Sequence, residues 1–385
     1  MKLIRITTVP QSLRGLLKGQ LNYMSTNGFE VIGVSSPGEA LNDVERNEGV
    51  KTVGIEMTRS ITPIQDLKAL VQLIQLFRKE KPLIVHTHTP KAGTVGMLAA
   101  KLAGVPHRLH TVAGMPLLVA KGKKRKLLDF VEKKTYYWAT MVYPNSFGLY
   151  DIILENKYTT KDKLKVIGKG SSNGIDTSHF NPDLISEQQK IELKKSLGIK
   201  PEDFVYVFVG RIVKDKGINE LVQSFDLINK QNPNTKLILV GSFERHLDPL
   251  KLETEKIIDT NSNVLAVGYQ TDVRPYFAIA DVFTFPSYRE GFPNVLMQSC
   301  AMGTASIATD INGCNEIVED GFNGYIIPSQ NQERLYEIML FLFQNPEKRK
   351  EIANNSRKRI VENYERKYIW NEILKEYHSL IKKKK

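Results

Sequence analysis

The sequence predicts an α/β protein with two domains, each built on a doubly wound parallel sheet. The chain has 385 residues, which is more than a single hydrophobic core usually supports. Short β-rich apolar runs alternate with segments of helical periodicity along the whole chain. This alternation restarts after a polar stretch at residues 181–203, which places a domain boundary near residue 180.

The first half contains the strand and helix patterns of such a sheet. A helix is predicted over residues 16–28, closed by Gly28, and a second over residues 63–81, where apolar residues keep helical spacing and Pro63 stands near the start. The predicted strands are KLIRITTV (2–9), FEVIGVSS (29–36), LIVHTH (83–88), RLHTVAG (108–114), TMVYPNS (140–146) and KLKVIG (163–168).

The second half repeats the pattern with six further strands and ends in two long charged helices, at residues 346–364 and about 366–381. The predicted strands are FVYVFVGR (204–211), KLILVGS (236–242), NVLAVGY (263–269), VFTFPS (282–287), ASIAT (305–309) and GYIIP (324–328).

Composition excludes several classes of protein. A hydrophobic fraction of 41% and a charged fraction of 25% are those of an ordinary globular protein. Cys300 and Cys314 form neither a disulfide framework nor a zinc motif, so a reducing cytosol fits. The N-terminus lacks the apolar core of a signal peptide. The longest apolar run, residues 335–343, contains Glu337 and is too short to span a bilayer.

Positive charge is concentrated in the first half of the chain. Residues 1–183 hold 26 Lys and Arg against 15 Asp and Glu, whereas residues 184–385 hold 28 against 27. This asymmetry predicts an anionic partner for the first half, which can be nucleic acid, an anionic membrane or a phosphorylated substrate. The alternative is a basic surface that serves only solubility.

One strand-to-helix loop of the second half carries a cationic pair. In GRIVKDKG, Arg211 and Lys216 stand before a helix, whose start already favours anions. A planar guanidinium and a compact ammonium suit a diphosphate. The alternative is a loop of two solvated basic residues.

The next such loop, REGFPNVLMQ, carries a carboxylate. Glu290 precedes Gly291, which lets a ligand approach the backbone, and a helix begins near Pro293. The free N–H groups at this helix start can hold a phosphate while Glu290 accepts hydrogen bonds from sugar hydroxyls. A hydroxyl-rich, phosphorylated ligand is therefore predicted; the alternative is a carboxylate that only complements the helix dipole.

Further polar residues have less specific interpretations. The Gln298 amide can bind a ribose diol or be a satisfied buried amide. Asn173 and Gly174 form a turn at the domain junction, which predicts a cleft element, a hinge or a plain linker. His86 and His88 lie at the carboxyl end of a strand, where sites in such sheets lie. We expect them on opposite sides of the strand, where they cannot share a metal; the alternative is packed polar residues.

Several motifs are absent from the sequence. There is no Walker A motif and no G-x-G-x-x-G after a strand, which weakens P-loop and dinucleotide functions. No D-x-D pair offers ligands for a metal diphosphate site, and no G-x-S-x-G elbow occurs.

Taken together, the motifs resemble those of retaining glycosyltransferases of family 4, which have the GT-B fold. The matching segments are GRIVKDKG, EGFPNVLMQSCAMG, SIATDINGCNEIVEDGFNGYIIP and SSNGIDTSHFNP. They are similar in particular to transferases that build bacterial capsule, exopolysaccharide or lipid-linked glycans. The resemblance implies two Rossmann-like domains facing a central cleft. Residues 1–180, with a C-terminal helix at about 366–385 packing back on them, are expected to bind the acceptor, and residues 181–365 are expected to bind the nucleotide sugar.

The resemblance also implies roles for single residues. Arg211 and Lys216 are expected to hold the nucleotide diphosphate, and Glu290 to contact the donor sugar. The expected donor is a UDP-sugar, with no metal and no other cofactor. The remaining donor-binding positions are expected to be Gly210, Gly291, Phe292, Pro293, Asn294, Val295, Leu296 and Gln298.

Two positions depart from the family pattern. Gln298 stands where the family usually has a second Glu that binds the ribose, so one negative charge is missing beside the diphosphate. Ala113 stands where the family often has a His that reaches the 6-hydroxyl of the donor sugar, and His110 is expected to point elsewhere. The donor sugar is therefore expected to lack a 6-hydroxyl, or another group reaches it.

The acceptor is expected in the first domain, whose positive charge fits a polyprenyl diphosphate at an anionic inner leaflet. We therefore expect a cytoplasmic enzyme that is peripherally associated with the inner face of the plasma membrane. The expected acceptor or cleft residues are Gly15, His88, Lys91, Ala113 and Asn173.

The basic run beside Tyr136, Tyr137 and Trp138 predicts membrane or acceptor-phosphate contacts at Lys121, Lys123, Lys124, Arg125 and Lys126. The alternative is a solvated loop before a core helix.

Other functions stay open at this point. A transferase of the same fold can act on a soluble small-molecule acceptor, and the departures at Gln298 and Ala113 also allow a non-enzymatic subunit of a glycan-synthesis complex. A nucleic-acid-binding protein is not expected, because the basic excess is not joined to a helix-turn-helix, RRM or zinc signature.

Overall fold

The computed structural model describes residues 1–382, which fall into two compact units. Unit 1 comprises Met1–Gly174 together with Lys367–Lys385, and unit 2 comprises Ile175–Arg366. Residues 383–385, which the sequence assigns to the C-terminal helix, lie outside the described part of the chain.

Unit 1 is built on one parallel sheet. Its strands are β1 (Lys2–Ile6), β2 (Glu30–Ser35), β3 (Lys51–Gly54), β4 (Ile84–Thr87), β5 (His107–Val112) and β6 (Met141–Pro144). They lie in the order β3-β2-β1-β4-β5-β6 with every neighbouring pair parallel. The residues of β4 are all buried, as expected for a central strand covered on both faces.

Six helices connect these strands in the described part of unit 1, and a seventh follows β6. Three of them begin at a proline, whose fixed φ and missing N–H suit the first helical turn. The helices are α1 (Pro10–Leu16), α2 (Gln20–Thr26), α3 (Glu39–Glu48), α4 (Pro63–Glu80), α5 (Pro90–Leu102), α6 (Gly122–Trp138) and α7 (Phe147–Glu155).

Unit 2 repeats the architecture. Its strands are β7 (Phe204–Val209), β8 (Thr235–Val240), β9 (Val264–Gly268), β10 (Val282–Phe285), β11 (Ala305–Thr309) and β12 (Tyr325–Ile327). They form a parallel sheet in the order β12-β11-β10-β7-β8-β9. All six predicted strands of the second half are confirmed.

The helices of unit 2 cover this sheet, and one more helix, α16 (Arg366–Lys382), packs on unit 1. The two predicted charged helices at the end of the chain are confirmed. The helices of unit 2 are α8 (Glu187–Ser196), α9 (Ile218–Gln231), α10 (Leu252–Thr260), α11 (Arg274–Ile279), α12 (Asn294–Ala301), α13 (Cys314–Ile317), α14 (Gln332–Gln344) and α15 (Pro346–Tyr364).

Two predicted elements of the first half are wrong. The helix over residues 16–28 is interrupted, because Gly19 adopts a left-handed φ of 81° between α1 and α2. A Cβ at Gly19 would lie 2.5 Å from the Trp370 ring, so α16 packs directly on this break. The strand over residues 163–168 is also wrong: only Leu164 bridges to Val142 beyond the last strand of the sheet. The strand β3, which the sequence did not indicate, lies at the opposite edge.

A buried polar network ties α16 to the sheet of unit 1. Arg5, fully buried on β1, donates to His88 Nε2 at 2.9 Å and to the Tyr377 hydroxyl at 3.0 Å. The same hydroxyl lies 2.6 Å from His86 Nδ1. The partners of this guanidinium are neutral, and burial lowers the pKa of Arg5. Fixing the C-terminal helix therefore depends on hydrogen bonds as well as on apolar packing.

The predicted placement of His86 and His88 on opposite sides of the strand is wrong. Side chains alternate along a strand, so residues two apart share one side, and the two rings lie 4.2 Å apart between centroids. Burial lowers the pKa of both histidines well below the ordinary value. Within residues 1–382, no group of three His, Cys, Asp or Glu side chains could hold a metal ion.

His110 provides a prediction about the pH dependence of stability. Its Nδ1 lies 2.8 Å from Thr87 Oγ1, and burial lowers its pKa to about 4 from an ordinary 6.5. As the pH falls, the unfolded chain therefore binds a proton at this histidine before the folded chain does. The contribution of neutral His110 to the free energy of unfolding is complete above pH 6.5 and is lost as the pH falls towards 4. We expect His110 alone to lower the free energy of unfolding of unit 1 by ~3 kcal/mol over this range.

Tryptophan fluorescence during urea denaturation measures this loss, because both tryptophans, Trp138 and Trp370, belong to unit 1. His110→Asn should make the dependence between pH 6.5 and 4 less steep, since the amide stays neutral, and the contribution of His86 and His88 should remain. His246→Asn, an exposed change in unit 2, is the control. Equal slopes for His110→Asn and the wild type would contradict the prediction.

Candidate functional site

Four loops of unit 2 meet at the carboxyl edge of its sheet. They follow β7, β8, β10 and β11, which are consecutive neighbours in the parallel sheet. Ligands of open α/β sheets bind beyond this edge, where the strand order changes direction. The loops after β7 and β10 carry the predicted cationic pair and the predicted carboxylate.

Lys216 and Glu290 form a direct ion pair between two of these loops. Their side chains are only 15% and 17% exposed, so the pair is screened less by solvent than a surface ion pair. The Ser287 hydroxyl donates to Glu290 Oε1 at 2.9 Å, and Lys216 Nζ lies 3.5 Å from the same hydroxyl. The fold therefore brings together two predicted residues that are 74 positions apart.

Arg211 belongs to the same group of charged side chains but pairs with a different carboxylate. Its guanidinium donates to Glu244 at 2.8 Å, on the loop after β8. Glu244 first, and then Asp215 and Glu290, raise the pKa of Arg211. The sequence reasoning missed Glu244. Its position directly after a strand that ends beside β7 is the signal that could have identified it.

The loop that carries Glu290 is held by several further contacts. The Tyr288 N–H donates to the Asp215 carbonyl at 2.9 Å, and its hydroxyl donates to Glu220 at 2.8 Å. Arg289 pairs with the Asp215 carboxylate at 2.8 Å. None of these partners was predicted, although Asp215 belongs to the same GRIVKDKG motif as Lys216.

Two glycines allow the loops to approach closely. Gly217, with a φ of 71°, packs against the Pro286 carbonyl, where an added Cβ would collide with the oxygen. Gly313, with a φ of 75°, leaves room for the Gly291 carbonyl, which would lie 2.5 Å from an added Cβ. Both positions therefore require a residue without a side chain, for conformation and for space.

The predicted donor-binding segment surrounds the start of α12. Pro293 is the N-cap residue and contributes no side-chain hydrogen bond, so no cap side chain occupies the first amides of the helix. Phe292 and Leu296 are buried, whereas Asn294 is exposed and Val295 half-buried. Gln298 is half-buried one turn later, and its side-chain amide makes no hydrogen bond within residues 1–382.

The predicted residues of unit 1 differ strongly in accessibility. Gly15 is exposed on α1, and an added Cβ would meet no atom within 4 Å. Ala113 is half-buried directly after β5. Lys91 pairs with Asp66, and His88 is buried against Arg5.

Asn173 is a buried connection point in unit 1. Its Oδ1 accepts from Gln20 Nε2 at 2.8 Å and from Trp370 Nε1 at 2.6 Å, and its Nδ2 donates to the Lys18 carbonyl at 3.1 Å. These contacts join the end of the first segment of unit 1 to α2 and α16. The side-chain oxygen and amide thus serve the structure of the junction.

The basic run 121–126 is not uniform. Arg125 donates to Asp129 at 2.9 Å and to the Leu117 carbonyl at 2.9 Å, and it is half-buried. The remaining cations of the run, Lys121, Lys123, Lys124 and Lys126, are exposed. Among the helices of residues 1–382, none is both long enough and apolar enough to cross a membrane.

Comparisons with known proteins identify the family of this chain. The family described as "Glycosyl transferases group 1" matches residues 189–359, and "Glycosyl transferase 4-like" matches residues 6–146. The capsular polysaccharide biosynthesis glycosyltransferase CapM of Staphylococcus aureus is 35% identical over 99% of this chain and 98% of its own. The UDP-Gal:alpha-D-GlcNAc-diphosphoundecaprenol alpha-1,3-galactosyltransferase of Escherichia coli is 32% identical over 70% of this chain and 69% of its own.

Solved structures confirm the predicted GT-B fold class. HepE of Anabaena, crystallised in complex with UDP, superposes with a TM-score of 0.83 over 98% of this chain and 100% of its own, at 18% identity. The fold, the family matches and a relative over nearly the full length agree with the family resemblance of the motifs. The chain therefore belongs to the group 1 glycosyltransferases, with the 4-like domain preceding the group 1 domain.

Proposed function

We propose that this glycosyltransferase retains the anomeric configuration and moves a sugar from a UDP-sugar to a lipid-linked acceptor in cell-surface polysaccharide synthesis. The observation that carries the proposal is the meeting of Lys216, Glu290 and Arg211 beside the uncapped start of α12. Cations and free amides fit a diphosphate, and a carboxylate within the same loops fits sugar hydroxyls. The names of the S. aureus and E. coli relatives support the polysaccharide product and the acceptor class.

The reaction follows from where charge develops. The bond from the anomeric carbon to the diphosphate oxygen breaks, and the acceptor oxygen bonds to that carbon on the same face. The acceptor proton passes to the departing diphosphate, so no protein nucleophile is needed. Arg211, Lys216 and the α12 amides stabilise the negative charge of the leaving group, which is the usual dominant electrostatic contribution. In this proposal the side chains supply the positive charge and no metal takes part.

Substitution of Lys216 and Arg211 tests the assignment of these cations to the diphosphate. Lys216→Ala and Arg211→Ala should each lower kcat by ~100-fold or more, because each removes a cation aimed at the leaving group. The assay is transfer from a UDP-sugar to an undecaprenyl-diphosphate-linked acceptor. Lys214→Ala is the matched control, an exposed lysine of the same loop. Near-normal turnover of both variants would contradict the diphosphate assignment.

Ala113 leads to a prediction about the donor sugar. A methyl side chain offers no hydrogen bond to a 6-hydroxyl, and His110 is occupied with Thr87. We propose that the donor sugar lacks this hydroxyl. Turnover of matched 6-deoxy and 6-hydroxy UDP-sugars should therefore favour the 6-deoxy compound or fail to discriminate. A strong preference for the 6-hydroxy sugar would contradict the proposal and would mean that another group binds the hydroxyl.

The acceptor proposal includes a membrane surface, and α6 supports it. Its exposed side chains are lysines interleaved with Leu127, Phe130 and Tyr137, which are 47%, 59% and 63% exposed. Lys134 Nζ lies 5.4 Å from the centroid of the Phe130 ring, and Lys101 Nζ lies 4.1 Å from that of Tyr137. Aromatic and aliphatic side chains among lysines are typical of helices that lie on anionic bilayers.

The two acidic residues of α6 are both half-buried. Asp129 accepts hydrogen bonds from Arg125 and Tyr158, and burial raises the pKa of Glu132 to about 7. The exposed face of α6, defined as Lys123, Lys126, Leu127, Phe130, Lys133, Lys134 and Tyr137, thus contains only cationic and apolar side chains. We propose this face, and not Arg125, as the contact with anionic lipid.

Vesicle co-sedimentation tests the exposed face of α6. Changing Lys123, Lys126, Lys133 and Lys134 to Gln should weaken partitioning onto vesicles of phosphatidylcholine with 30% phosphatidylglycerol. Each lysine near the surface contributes ~1 kcal/mol, so roughly fivefold is lost per change. The same four changes at Lys190, Lys194, Lys195 and Lys200 of unit 2 remove equal charge and are the control. Equal losses of vesicle binding in both variants would show only an effect of net charge and would contradict a specific role of α6. Unchanged vesicle binding by the α6 variant would also contradict the proposal.

A further inference from the structure

The Glu290 carboxylate uses its two oxygens differently. Both of its side-chain partners, Lys216 and Ser287, contact Oε1, and within residues 1–382 no hydrogen bond reaches Oε2. A carboxylate can accept several hydrogen bonds on each oxygen. The free Oε2 is therefore the atom available to a ligand hydroxyl, provided that the carboxylate keeps this orientation.

Lys216 has a second role under the proposed function, which is to bind the diphosphate of the donor. Under the proposed function its ammonium turns to the diphosphate of the donor, which is a stronger local charge than one carboxylate. Glu290 then loses its cationic partner at the moment when it must face the sugar. The hydroxyl of Ser287, at 2.9 Å, is the remaining side-chain donor to Oε1.

Ser287 is itself unusually well fixed. It is fully buried, and its carbonyl accepts a hydrogen bond from the Thr309 hydroxyl. The carbonyl of the preceding Pro286 rests on Gly217, and the following Tyr288 donates its N–H to the Asp215 carbonyl. Other acceptors of the Ser287 hydroxyl, the carbonyls of Arg289 and Asp215, lie farther away at 3.3 and 3.5 Å.

We propose that Ser287 is a positioning residue, which holds Glu290 Oε1 so that Oε2 faces the donor sugar after Lys216 has turned to the diphosphate. This inference rests on the proposed function. It assigns to Ser287 an effect on sugar transfer that acts through Glu290 and leaves nucleotide binding nearly unchanged.

A double-mutant cycle tests the assignment. Ser287→Ala should lower kcat/KM for transfer by roughly 10- to 100-fold, the range for loss of a hydrogen bond to a charged group. The dissociation constant of UDP, which lacks the sugar, should change by less than about threefold. In a Glu290→Gln background, Ser287→Ala should lower kcat/KM by less than about threefold, because the group on which it acts is already altered.

Ser299→Ala is the control for loss of a buried hydroxyl. Ser299 is fully buried in the same unit and its hydroxyl lies 3.2 Å from that of Ser306, so its removal should leave UDP affinity and transfer near the wild-type values. If Ser287→Ala does not fold, Ser287→Cys replaces it under the same criteria, since the thiol is of similar size and a weak donor.

The outcomes separate this inference from the proposed function. An equal loss in both backgrounds, or a matching fall in UDP affinity, means that Ser287 acts only on the structure of the loop and overturns the inference. Transfer by Glu290→Gln at the wild-type rate would instead overturn the proposed role of Glu290. A large effect of Glu290→Gln with none of Ser287→Ala overturns the inference alone.

Discussion

The candidate donor site depends on one constraint, the ion pair between Lys216 and Glu290 across two loops of unit 2. Each partner lies on a loop whose path depends on a contact with a glycine. Gly217 allows contact with Pro286, and Gly313 allows contact with Gly291. The pair is mostly shielded from water. The backbone of the two loops therefore sets the positions of both side chains before any ligand arrives.

Charge in this region is balanced in pairs. Arg211 pairs with Glu244, Lys216 with Glu290, and Arg289 with Asp215. Under the proposed function, a dianionic diphosphate therefore competes with these carboxylates for the cations. Arg211 is the easier cation to recruit, because its side chain is 47% exposed and exposed ion pairs contribute little stability, about 0–1 kcal/mol. Releasing the better shielded Lys216 is expected to cost more, and in our proposal the Ser287 hydroxyl then keeps Glu290 in place.

Unit 1 uses buried polar groups in a different way. Its sheet contains Arg5, His86 and His88 in one connected network with Tyr377 of α16. Such a network stabilises one arrangement of the C-terminal helix, since an unpaired buried polar group is costly. His88, which sequence patterns placed among the acceptor or cleft residues, is engaged here with a structural guanidinium.

The sequence by itself determined the two parallel sheets, the order of strand and helix in unit 2, and the four motifs that identify the family. These follow from local apolar periodicity and from short segments, which a single chain displays directly. The break at Gly19 and the partners Glu244, Ser287 and Thr309 were decided only by the tertiary structure. Each depends on a contact between segments distant in the chain, such as Trp370 on Gly19, and no local pattern records which distant group will fill that space.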